Sequence, residues 1–174
     1  MKTKQLVFTA LLLAICIVFQ SLKGVSVYLT GSAVNTVLVM ATLSVGASGG
    51  IFIAIATPII AYFMGLTPIM QTIPLMIVVV MLGNLTLVIL ANRGRKEKLL
   101  AWLALGSILK AVVLWLLVWY AVLPLFGTAL PEKMIGVVKT TFSITQFITA
   151  VIGCSIAYVI HIRVKHLYLI EPKN

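Results

Sequence analysis

Residues 99–123 read LLAWLALGSILKAVVLWLLVWYAVL, and in these 25 positions Lys110 is the only charged residue. At 1.5 Å per residue a helix of this length runs about 37 Å, enough to cross a hydrocarbon core of roughly 30 Å. The stretch is flanked by polar segments, NRGRKEK at 92–98 and PLFGTALPEK at 124–133. This is the pattern of a membrane span between two solvated turns. Composition extends that reading to the whole chain. Of 174 residues, 62% are hydrophobic and 9% charged, and the mean hydropathy is +1.21. A soluble domain of this size carries about a quarter charged residues.

Working outward, five further apolar runs give an all-α integral membrane protein, a single domain of six helices over 1–174. The spans fall at about 5–22, 33–45, 51–64, 73–91, 99–123 and 135–162. The segment KGVSVYLTGS at 23–32 is too polar and glycine-rich to extend a span, so it reads as a loop. GASGG at 46–50 reads as a tight turn, and Pro58 should kink the third helix. The start, MKTKQLVFTALLLAICIVF, has the basic and apolar regions of a signal peptide. No small-x-small cleavage site closes it before Lys23, so it reads as a retained first helix.

The 13 Lys and Arg against three acids give a net charge of +10, a balance that in a soluble protein suggests nucleic acid. Their distribution points to topology instead. Lys2, Lys4, Arg93, Arg95, Lys96, Lys98, Arg163, Lys165 and Lys173 fall on one side of a six-helix chain, and only Lys23 and Lys133 fall in loops on the other. Basic loops stay inside, so both termini are expected in the cytoplasm, with the loops after helices 1, 3 and 5 outside. Trp119 and Tyr120 suit an outer aromatic belt.

The acids are Glu97, Glu132 and Glu171, all in loops or the tail, so no span contains a carboxylate. That disfavours an ion-coupled carrier, which commonly uses an intramembrane acid, and a metal-dependent phosphotransferase. There is no G-x-x-x-x-G-K-[ST] phosphate loop, so the chain is not expected to hydrolyse ATP. No Ser, His and acid set points to a hydrolase, and no metal site is expected. Cys16 and Cys154 lie in apolar runs as small hydrophobes, and His161 and His166 lie at or beyond the inner end of helix 6.

Lys110 is the exception that needs an explanation. It lies roughly 16 Å along helix 5, beyond the reach of snorkelling, and a charged Lys at mid-bilayer costs at least about 2.5 kcal/mol. It should face the interior with a partner. Asn84 on helix 4, Gln146 on helix 6, backbone carbonyls or an anionic ligand are the candidates; neutral, amide-satisfied packing is the plain alternative. On helix 6, Lys139, Ser143, Gln146 and Ala150 recur at three- and four-residue spacing. They form a polar stripe that reads as one wall of an outward cavity, or as interhelical glue. Asn35 and Ser32 lie near the start of helix 2, where capping competes with a place in the pocket; Asn35 is carried as a candidate. Trp115 and Trp119 project away from Lys110, towards lipid. With Lys110 and Lys139 as its charges, such a pocket favours a ligand bearing a carboxylate or phosphate over a cation such as thiamine.

Ala10 and Ala14, in FTALLLAICI at 8–17, share one face of helix 1 one turn apart. The Ala-x-x-x-Ala pair, six helices in about 170 residues and the glycine-rich turn between helices 2 and 3 resemble the substrate-binding S component of an energy-coupling factor (ECF) vitamin transporter. The resemblance covers nearly the whole chain in layout. It implies a vitamin or vitamin precursor bound near the outer face under a lid, here residues 23–30. It also implies docking through Ala10 and Ala14 on a transmembrane coupling subunit, with two partner ATPases using ATP and no cofactor in this chain. The location implied is the cytoplasmic membrane of a prokaryote. The competing classes are a stand-alone small transporter or channel and a membrane assembly protein.

Overall fold

A computed structural model describes residues 3–22 and 26–164. Lys2, Lys23, Lys165, Lys173, Glu171 and His166 lie outside the described residues, as does the Lys23–Val25 part of the expected lid. The described chain is helical, with no strand among its residues. The long elements are α1 (Thr3–Ser21), α2 (Val27–Ser44), α3 (Ala47–Phe63), α5 (Leu75–Gly94), α6 (Leu99–Leu117) and α9 (Ile144–Val164), and the short ones α4 (Pro68–Thr72), α7 (Leu123–Phe126) and α8 (Glu132–Thr141). Five runs are long and apolar enough to cross a bilayer, and α3, at 17 residues, is a shorter apolar helix. The chain is a multi-pass membrane protein.

Several expected boundaries move, each for a local reason. Helix α2 begins at Val27 rather than near 33, because the Ser26 side chain caps it by accepting from the Leu29 N–H at 3.3 Å. Asn35 and Ser32 are therefore interior residues of α2 and not caps. The turn between α2 and α3 narrows to Gly46, whose φ of 111° favours glycine; Gly49 and Gly50 already belong to α3. The fifth apolar run extends through a π turn, Val118–Val122, into α7 and a 3-10 turn ending at Ala129. The sixth is broken. Phe142 and Ser143 interrupt it, so Lys139 stands on α8, while Gln146 and Ala150 stand on α9. The single stripe expected from 139 to 150 does not exist.

Helix α2 is the most enclosed of the bundle, packed against α9, α3, α1 and α5. Its contact with α9 is tight because α9 presents Gly153. A Cβ built there would lie 2.6 Å from the Ser32 carbonyl oxygen and 2.6 Å from Asn35 Cβ, and the Gly153 carbonyl accepts from Thr36 Oγ1 at 3.2 Å. Close approach through small residues is how membrane helices gain dispersion contacts without a hydrophobic drive. Gly153→Leu is therefore expected to force α2 and α9 apart and to cost about 1 to 3 kcal/mol, the usual range for overpacking. A lowered thermal midpoint of the detergent-solubilised protein checks this.

Helix α1 is peripheral. It buries only Thr9, Cys16 and Gln20, and it packs chiefly on α2 and α3. Leu6, Val7, Leu11, Ile15 and Val18 are exposed, and so are Ala10 and Ala14. Leu6, Ala10, Ala14 and Val18 follow one another at four-residue spacing and form one outward stripe.

A cavity around a buried lysine

Lys110 is 3% exposed. Its Nζ donates to Asn35 Oδ1 at 2.5 Å and to Asn84 Oδ1 at 2.9 Å, drawing α6, α2 and α5 onto one point. Hydrogen bonds from a charged group are worth about 1.5 to 3 kcal/mol each, so two amide oxygens offset much of the desolvation of the ammonium. They do not cancel its charge. No carboxylate is among the residues around it. Asn35 is held in turn from α9, donating through Nδ2 to Thr149 Oγ1 at 3.5 Å, and Thr149 donates to the Gln146 carbonyl at 3.2 Å. The close approach at Gly153 and at Gly31, where a Cβ would meet Thr149 Cγ2 at 2.9 Å, sets this register.

Lys110, Asn35, Asn84, Gln146 and Thr149 line a cavity of about 100 Å³. Gln20, Thr30, Thr57 and Pro58 line it as well, with Leu66, Thr67, Met70, Thr141 and Phe142. The lining comes from the last turn of α1, the first turns of α2, the second half of α3 and the start of α9. That end of the bundle is opposite the one where Arg95 approaches Gly46 between α2 and α3. The space is smaller than the apolar cavity of about 150 Å³ that accommodates benzene in a soluble protein.

Of the residues singled out from sequence, Lys110, Asn84, Asn35 and Gln146 are brought together on this cavity. Lys110 makes no hydrogen bond with Gln146, one of its candidate partners; Asn35 accepts from it beside Asn84. Lys139 and Ser143 are not among the lining residues. Lys139 Nζ instead sits 4.3 Å from the centre of the Trp119 ring, a cation–π contact that the break before α9 and the π turn at Val118–Val122 make possible. Ser143 Oγ donates to the Lys139 carbonyl at 2.6 Å. The expected lid also changes: Val27–Thr30 is the first turn of α2, and the α3–α5 connection with Leu66, Thr67 and Met70 contributes cover.

Among the buried residues on the cavity that escaped the sequence reading are Gln20, Thr57 and Thr30. Gln20 Nε2 donates to the Thr57 carbonyl at 3.5 Å, bridging α1 and α3. Its Oε1, together with Thr57 Oγ1 and Thr30 Oγ1, is buried without a hydrogen-bond partner. The available signal was Gln20, an amide near the end of an apolar helix, and Thr57 beside Pro58, where the i−4 bonding of the helix is already interrupted.

A helical membrane bundle with a cavity that gathers polar side chains around a lysine is compatible with a substrate-binding membrane subunit, and comparison with known families decides the class. The model of the family described as ECF transporter, substrate-specific component, matches residues 4–164. The chain belongs to that family. It is a substrate-binding transport subunit and not an enzyme. Comparison with curated proteins and with solved structures gives no match.

Proposed function

We propose that this chain captures a vitamin or vitamin precursor from outside a prokaryotic cell in the Lys110 cavity and delivers it inward through an ATPase-driven coupling module. In this reading the bundle crosses the plasma membrane six times with both termini in the cytoplasm. Basic turns stay inside, and the cavity is at the end of the bundle away from Arg93, Arg95, Lys96 and Lys98. It therefore opens outward. The observation that carries the reading is a buried ammonium held by two neutral amides beside a cavity, with no carboxylate around it. A packing lysine needs no cavity, whereas a ligand with an anionic group completes this one.

The energy comes from elsewhere. ATP is used by two partner ATPases, and a transmembrane coupling subunit docks on the exposed stripe of α1 at Ala10 and Ala14. Proteoliposomes test this division of labour. Uptake of substrate is expected only when the coupling subunit, both ATPases and ATP are present with this chain. Uptake by this chain alone would make it a stand-alone transporter, and absence of any small-molecule binding would make it an assembly protein.

A further inference from the structure

Besides Lys110 and its two asparagines the cavity is lined by a second set of polar groups, on helices other than that of Lys110, with no assigned role. Gln20 is anchored by its Nε2 on the Thr57 carbonyl, which fixes Oε1 as the free atom of the amide. Thr57 is fully buried and Thr30 is 4% exposed, and both hydroxyl oxygens lack a partner although threonines elsewhere in these helices bond the carbonyl four residues back, as Thr36, Thr42 and Thr86 do. A buried polar atom left unpaired costs about 1 to 3 kcal/mol. Three that line one cavity are a site awaiting complementary groups.

We infer that Gln20, Thr57 and Thr30 form a second recognition pole, and that the substrate is a small acid with an N–H or O–H donor at its other end. The inference rests on the function proposed above. The acid group meets Lys110 between Asn35 and Asn84. The donor meets Gln20 Oε1, which can only accept, while the two threonine hydroxyls serve either as donors or as acceptors. The two poles come from different sets of helices, α6 with α2 and α5 for the first and α1 with α3 and the first turn of α2 for the second. A ligand that reaches both therefore ties α1 to the rest of the bundle, and α1 carries the exposed Ala10 and Ala14 stripe.

Matched probes test this by thermal-shift titration of the purified full chain in detergent. One set is para-aminobenzoate, benzoate and para-aminobenzamide; a second is biotin, lipoate and biotinamide; a third is pantothenate and pantothenol. The expected result is that, in at least one of the first two sets, the acid with a donor binds at least tenfold more tightly than its donor-free acid and its neutral counterpart, or that pantothenate so exceeds pantothenol. Gln20→Leu should weaken that probe at least tenfold while leaving the affinity of the donor-free acid, or for pantothenate its response to Lys110→Met, unchanged. Thr57→Val, which removes a hydroxyl with no internal partner, should weaken it without lowering the midpoint of the ligand-free protein.

Equal binding by a neutral probe and its acid overturns the Lys110 pole. Equal binding by donor-free and donor-bearing acids overturns the Gln20 pole, as does a Gln20→Leu protein of unchanged affinity. Failure of every donor-bearing acid in the three sets overturns the substrate class. None of these results touches the transport reading itself, which fails separately if this chain does not co-purify with the coupling subunit.

Discussion

Replacing Ala14 by Trp is expected to abolish ATP-driven uptake while leaving ligand binding to the isolated chain unchanged. Ala14 is exposed on α1, four residues from Ala10, and no cavity residue touches that face. The polar group of α1 that serves the cavity is Gln20, which is buried while Ala14 is exposed. Two membrane helices approach closely where small residues face each other, and the dispersion contacts so gained hold them together. An indole at position 14 would hold the partner helix off and remove many of those contacts at once. Its effect on the fold should be slight, because the side chain points away from α2 and α3. Reconstituted complex measured for uptake, alongside titration of the isolated chain, separates the two consequences. Persistent uptake in the variant would mean that the partner docks elsewhere.

Lys110→Met should weaken ligand binding by more than tenfold, since a charged contact in a desolvated site contributes about 1.5 to 3 kcal/mol. Met is of similar length and apolar, so the bundle should fold, and the two asparagines freed by the change line the cavity. Asn84→Asp gives a sharper version of the same test. It preserves shape and sets a carboxylate where Asn84 Oδ1 now lies, 2.9 Å from Nζ. The ion pair satisfies Lys110 within the protein and places a negative charge beside any incoming anion. The variant is expected to fold and to lose the ligand. Calorimetry with the identified substrate reads both changes; unchanged affinity in either would remove Lys110 from the site.

The membrane character, the apolar runs and the importance of Lys110 were legible from sequence because bilayers impose a coarse rule. About 20 apolar residues make a span, and a charge within one needs a reason. The partners of Lys110 were only half legible. Asn84 shares its depth on a neighbouring helix in the chain. Asn35 was obscured because the start of α2 was misjudged by six residues: Gly31 and Thr30 read as loop, while in the folded chain glycine there admits Thr149 of α9. The stripe from Lys139 to Ala150 failed for a different reason. Periodicity assumes one unbroken helix, and the break at Phe142–Ser143 rotates α8 away from α9, leaving Lys139 on Trp119. Gln20 and Thr57 carried a faint signal, an amide near a helix end and a threonine beside Pro58, but their significance lies in what they lack, and a missing hydrogen-bond partner exists only in three dimensions.

Native mass spectrometry of the wild-type chain and of Asn84→Asp, each purified from the same rich medium, tests the central claim most directly. The account predicts one small acidic molecule bound per wild-type chain and none on the variant. The same bound mass on both proteins, or none on the wild type, would contradict it.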